Sequence, residues 1–317
     1  MMIGNKQAQE LDEVYFIMLF GQSNADGRAT AARLANVNWN YRGISTGYPA
    51  PRTTQGVYSG TPPNVYIYNK GNNSGFNTEP PDNGVWELLN AGVNNSKKGS
   101  LPVGYIGVEL SLATLLQEYS GKDVYIVKAG FFSTYLYSLP VLASGPGTWQ
   151  FTNRHIAMEF YLRRAVRDFR AANPNKRAVP VLKYWWQGEN DAVEGRTADQ
   201  YEGDLADMCS YMDGVVRECF VIDEGKDPLW IMSKLDFTQS AAEGVINTGI
   251  TNYAAGADNV VVLDPAPYPR RSDLSAAEQL PNDGGSSDNN HSSYIAILAM
   301  GELAAQEVID HGIIQPA

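Results

Sequence analysis

Val14-Tyr-Phe-Ile-Met-Leu-Phe-Gly-Gln-Ser-Asn24 is an apolar, β-prone run that ends in a tight polar turn. Such a run reads as a buried strand, and the turn puts the hydroxyl of Ser23 at the strand's carboxyl end. Where a helix follows, its first N–H groups and its dipole favour an anion developing at that hydroxyl. Two readings of Ser23 stand at this point: a helix N-cap, the common fate of a serine after a strand, or a nucleophile. The choice rests on whether a base, an acid and oxyanion donors occur further along the chain.

Four more short apolar runs have the character of buried parallel strands: residues 123–129, 179–185, 229–235 and 259–263. Helical patterns separate them at 109–119, 154–172, 199–219 and 240–255, and a last helix is expected over 291–311. Alternation of this kind argues for a parallel sheet covered on both faces. The expectation is one doubly wound α/β domain over 1–317, with a flavodoxin-like, five-stranded parallel sheet and an N-terminal tail at 1–12. Residues from about 35 to 100 break the alternation; they are rich in Asn, Gly, Pro and Tyr, with one strand-like run at 64–68. An insertion after the first βα unit lies near the rim of a site at the sheet's carboxyl edge. A second loop-rich segment, 265–290, precedes the last helix.

The chain has 317 residues, is 44% hydrophobic and 19% charged, and carries a net charge of −11, a soluble globular composition. Its acidity and the lack of a basic run exclude a nucleic-acid or anionic-membrane partner, since phosphate is bound by clustered Lys and Arg. Arg163, Arg164, Arg167 and Arg170 read as the solvated face of one helix. No apolar run approaches the roughly 18–20 residues that span a bilayer. The first ten residues lack the apolar stretch of a signal peptide. A mature secreted form, a virion component and an intracellular enzyme all stay open, with extracellular or virion-associated action favoured over cytoplasmic. Cys209 and Cys219 match no zinc spacing, and a disulfide or two buried thiols both fit them.

The chain has only three histidines. His155 and His311 read as helix-end or surface residues. His291 follows Asp288 in Asp288-Asn-Asn-His291, where the carboxylate can fold back to the imidazole and fix its tautomer for proton transfer. Tyr184-Trp-Trp-Gln-Gly-Glu-Asn-Asp191 ends the third strand, so Gln187 brings an amide to the same sheet edge as Ser23. Glu189 and Asp191 read either as part of that site or as caps of a following helix, and Trp185 and Trp186 as core and rim aromatics. Lys128-Ala-Gly-Phe-Phe-Ser-Thr-Tyr-Leu136 ends the second strand and offers a turn N–H, or forms an ordinary βα loop.

Gly-Gln-Ser-Asn in the first βα turn, Trp-Gln-Gly-Glu-x-Asp after the third strand, and Asp-x-x-His before the last helix occur in that order. In this the chain resembles the SGNH hydrolase superfamily, and within it the sialate O-acetylesterase-like branch that includes acetyl xylan esterases of carbohydrate esterase family 6. The resemblance spans residues 14 to about 305. It implies Ser23 as nucleophile, His291 as base and Asp288 as its orienting acid. It implies an oxyanion hole from the Ser23 N–H, a turn N–H at Ser133 and the Gln187 side chain. Gln22, Arg28 and Glu189 are implied as binding or supporting residues, with Glu189 bracing its loop. Gly107-Val-Glu109 stands in place of the family's Gly-Pro-Glu. Phe132-Ser133-Thr134 stands where the family has Gly-Gly-Thr or Gly-Gly-Ser, which leaves open whether Ser133 or Gly130 supplies the turn donor.

The function implied is removal of O-acetyl groups from a carbohydrate, with an acetylated glycan as the partner and with no metal or organic cofactor. The alternatives are a non-catalytic carbohydrate-binding or phage-tail module on the same fold, or an SGNH lipase or thioesterase. The 18 tyrosines and six tryptophans suit either a sugar-stacking groove or core filler. Arg28 or Arg154 is available to hold a single carboxylate on an otherwise neutral glycan.

Overall fold

A computed structural model describes residues 11–26, 29–30, 58, 61–69, 85–91, 105–130, 135–136, 153–223, 226–235, 241–268 and 292–317. In chain order the strands are β1 (Asp12–Gly21), β2 (Ala29–Thr30), β3 (Val65–Asn69), β4 (Val85–Leu88), β5 (Tyr105–Ile106), β6 (Val124–Gly130), β7 (Lys176–Trp186), β8 (Leu229–Ser233) and β9 (Val260–Leu263). The helices are α1 (Ser23–Asp26), α2 (Glu109–Ser120), α3 (Asn153–Ala172), α4 (Glu189–Val193), α5 (Ala198–Cys219), α6 (Ala241–Ala255) and α7 (Tyr294–Asp310).

The main sheet has seven strands in the order β4-β3-β6-β1-β7-β8-β9, and not the expected five. Its five long-range parallel strands, β6-β1-β7-β8-β9, follow the 2-1-3-4-5 flavodoxin-like order. The insertion supplies the other two. β3 adds in parallel to β6, and β4 pairs antiparallel with β3 at the edge. A separate antiparallel pair joins β2 to β5.

The order fixes where helices go. The chain steps one way from β1 to β6 and the other way from β6 through β7 to β9. Right-handed crossovers therefore put α2 on one face and α3, α5 and α6 on the other. The packing agrees, for α2 lies against α7, while α5 lies against both α3 and α6. Phe16 shows the second face in detail. Fully buried in β1, it meets Tyr125 of β6 stacked at 5.4 Å and Phe169 of α3 edge-on at 4.9 Å. Burying one such ring is worth about 1.5–3 kcal/mol. Tyr68 and Trp86 from the insertion join the same aromatic cluster, with centroids 5.1 Å apart, and so serve packing.

Along β1 and β7 the register skips Val181, a bulge that gives β7 one residue more than its partner. Cys209 and Cys219 are both free and buried. Arg163 pairs with Glu159 and Glu218, and Arg167 with Asp168, so this face is laced by ion pairs. The last helix begins at Tyr294 and not at His291, because the Ser293 hydroxyl accepts the Ala296 N–H and caps it. Among the described residues, no helix is long and apolar enough to cross a membrane.

Candidate active site

The site is built at the carboxyl ends of β1 and β7, beside the point where the strand order reverses. β1 closes at Gly21 with φ of 139°, a backbone state that an L side chain rarely adopts. The next N–H, of Gln22, donates to the Trp186 carbonyl oxygen at 2.9 Å. The two strand ends are thereby tied together, and Ser23 is the first residue of α1. α1 has only four residues, so it offers local N–H groups at Ser23 and not the summed dipole of a long helix. Arg28, Ser133, Asp288 and His291 lie outside the described residues, as do the side chains of Ser23, Arg154 and His155.

Both neighbours of Ser23 are buried and reach across to α4. The Gln22 amide nitrogen donates to Asn190 Oδ1 at 2.9 Å, and the Asn24 amide nitrogen donates to Glu189 Oε1 at 2.8 Å. Asn24 also works in the opposite sense. Its Oδ1 accepts the backbone N–H of Ser292 at 3.2 Å, across 268 positions of sequence. Ser292 directly follows His291. The residue after the candidate nucleophile is thus bonded to the residue after the candidate base.

A second set of bonds centres on Asp191. Both of its carboxylate oxygens accept the Leu136 N–H, at 3.0 and 3.1 Å, and one also accepts the Gln187 amide nitrogen. The Gln187 side-chain oxygen Oε1 in turn accepts the Tyr201 hydroxyl at 3.0 Å, and its backbone carbonyl accepts the same hydroxyl at 2.7 Å. Gln187, Asp191 and Tyr201 are fully buried. A side-chain amide has two N–H hydrogens. A Gln187 donor to an oxyanion has to use the hydrogen not directed at Asp191.

Glu189 and Asp191 are not side-chain caps of α4, since the N-cap is Gly188, at φ of 141°. Burial raises both carboxyls to about 7, and the Asp191 charge pushes Glu189 further in that direction. Hydrogen bonds from Asn24 to Glu189, and from Gln187 and Leu136 to Asp191, pull the other way.

No family model matches the sequence, and no curated protein matches it. Solved structures do. A protein from Arabidopsis thaliana aligns over 95% of this chain and 98% of its own, with a TM-score of 0.57 and 12% identity. NanS aligns over 96% and 98%, with a TM-score of 0.58 and 13% identity. A carbohydrate acetylesterase from Xanthomonas citri aligns over 94% of this chain and 56% of its own, with a TM-score of 0.52 and 12% identity. The chain shares its fold with these three structures.

On this fold, the segment Gly107-Val-Glu109 sits against the end of β6. Glu109, fully buried, takes the Lys128 ammonium at 2.8 Å and the Gly107 N–H at 3.1 Å on the same oxygen. β5, which ends at Ile106, pairs with Ala29 of β2, so this segment is joined to the chain that follows Arg28. The sequence reading missed the parts played by Asn24, Asp191 and Lys128. Each was quoted within a motif, and each is a polar residue beside apolar or glycine positions at a strand end. That pattern forces a partner when buried but does not name it. Among the described residues, no group of three or more His, Cys, Asp or Glu is placed to hold a metal ion.

Proposed function

We propose that this chain is a serine esterase that removes acetyl groups from a carbohydrate. The observation that carries the proposal is the 3.2 Å hydrogen bond between Asn24 and Ser292, two residues that each follow a candidate catalytic residue in the sequence. Of the solved structures on the same fold, the one from Xanthomonas citri is described as a carbohydrate acetylesterase, which supports the reading.

The mechanism proposed takes its residue roles from the sequence resemblance. Asp288 holds the His291 imidazole in the tautomer that accepts a proton. Ser23 Oγ gives up its proton to that imidazole and attacks the acetyl carbonyl carbon. The carbonyl oxygen becomes an oxyanion, held by the Ser23 N–H, a turn N–H at Ser133 and the Gln187 amide. The sugar oxygen leaves with the proton from His291. Water, deprotonated in turn by His291, then attacks the acetyl carbon, and Ser23 Oγ leaves with that proton as acetate is released. No step calls for a cofactor.

The test is hydrolysis of p-nitrophenyl esters of increasing acyl length, together with fluorophosphonate labelling. The expected result is label on Ser23, loss of hydrolysis in Ser23→Ala, and a steep fall in rate beyond acetyl. Full activity in Ser23→Ala overturns the proposal. Preference for long acyl chains replaces it with a lipase or thioesterase reading. Gln187→Ala is expected to lower kcat by about 10²–10³, the usual cost of one oxyanion donor.

A further inference from the structure

We propose that Asn24 is a positioning residue for this reaction, holding the segment that begins at Ser292, and with it His291, against the turn that carries Ser23. The inference rests on the reading of Ser23 as nucleophile and His291 as base.

Three observations carry it. Asn24 is 1% exposed, so its amide has no water to turn toward. Its Nδ2 faces an acceptor, Glu189 Oε1 at 2.8 Å, and its Oδ1 faces a donor, the Ser292 N–H at 3.2 Å. Turning the amide over would set oxygen against oxygen and N–H against N–H, so Glu189 fixes which end of Asn24 meets Ser292. Ser292 and Ser293 are buried as well, and Ser293 caps α7. The bond therefore ties the nucleophile turn to the start of a helix packed on α2, and not to a loosely held strand of chain. Asn24 touches neither the substrate nor the reacting atoms in this scheme. It acts on the distance between the two groups that do.

The test compares the wild type with Asn24→Ala, Asn24→Asp and Asn24→Asp combined with Glu189→Gln. The readouts are the rate of fluorophosphonate labelling at Ser23, kcat and KM on p-nitrophenyl acetate, and melting temperature. Asn24→Ala is expected to slow labelling and kcat together by up to about 100-fold, the scale set by a small misplacement of reacting groups, with KM little changed. In Asn24→Asp, assayed above the range in which Glu189 titrates, the new carboxylate opposes Glu189, and the same loss is expected. Adding Glu189→Gln supplies a donor to that carboxylate while its other oxygen still receives the Ser292 N–H, so most of the lost rate returns. Should Asn24→Ala fail to fold, the contrast between the single and double variants decides. The inference is overturned if Asn24→Ala labels as fast as the wild type, or if the double variant is no faster than Asn24→Asp. A wild-type protein that takes no label on Ser23 removes the nucleophile reading itself, and the positioning role falls with it.

Discussion

A Cβ added to Gly21 would stand 2.2 Å from the carbonyl oxygen of Trp186, well inside the contact distance of any real side chain. That carbonyl already receives the Gln22 N–H, so it cannot retreat without opening the junction of β1 and β7. Gly21→Ala is therefore expected to cost about 1–3 kcal/mol from backbone strain alone, with the clash added. Urea unfolding measures it. An unchanged midpoint would show that the strand ends are not locked as described.

Asp191 is the acceptor for two buried donors, Leu136 N–H and the Gln187 amide. Asp191→Ala leaves both without it, at about 1–3 kcal/mol for each orphaned donor. Asp191→Asn keeps one acceptor oxygen, so its loss in urea stability is expected to be smaller. Equal losses in the two variants would mean that volume, and not hydrogen bonding, is what Asp191 contributes.

The carboxyls of Glu189 and Asp191 are raised to about 7 in the folded chain. A raised acid binds protons more tightly when folded, so stability falls as pH climbs from its ordinary value to its folded one. Melting temperature is expected to decline between about pH 5 and pH 8, with a shallower slope in Glu189→Gln. Glu13 has the opposite sign. Hydrogen bonds from Arg177 and Lys122 lower it, so its contribution is lost only as pH falls below the ordinary carboxylate range. A melting profile that rises from pH 5 to pH 8 would contradict the burial of the α4 pair.

Glu109 and Lys128 form an ion pair with side chains 0% and 3% exposed. Removing the cation alone in Lys128→Met is expected to cost about 3–5 kcal/mol, whereas replacing both partners with apolar residues costs far less. Denaturant unfolding of the single and double variants checks this, and additive losses would exclude the pairing.

Burial pushes the Cys209 thiol up to about 12, and burial raises Cys219 as well. Neither is expected to react with a disulfide reagent such as DTNB in the native protein, and both should react once it is unfolded. A native thiol count above zero would place one of them at the surface.

The parallel strands read from the sequence were legible because each is a largely apolar run suited to a place between two helical layers. β1, β6, β7, β8 and β9 all fall within a few residues of their expected ranges. β4 was not legible. Val85-Trp-Glu-Leu88 is a four-residue strand whose hydrogen bonds come from β3, and nothing local marks that partner. The run at 64–68 was visible as strand-like, but its docking on β6 depends on Val65 and Ile67 finding a hydrophobic neighbour far along the chain. The motif order pointed to the strand ends as the place of a candidate site. It did not show that Gln187 is held by Asp191 and Tyr201, because burial of an amide is decided by tertiary neighbours.

The bond between Asn24 and Ser292 spans 268 positions, and this has a consequence in time. Chains grow from the amino end at about 5–20 residues per second, so Asn24 is made roughly 13–54 seconds before its partner exists. β1 is without β6 and β7 for the first part of that interval, and the Asn24 amide is without Ser292 for all of it. Assembly of the site thus waits on synthesis of residue 292. A nascent chain carrying Ser23 is expected to stay chemically silent until α7 has emerged and docked.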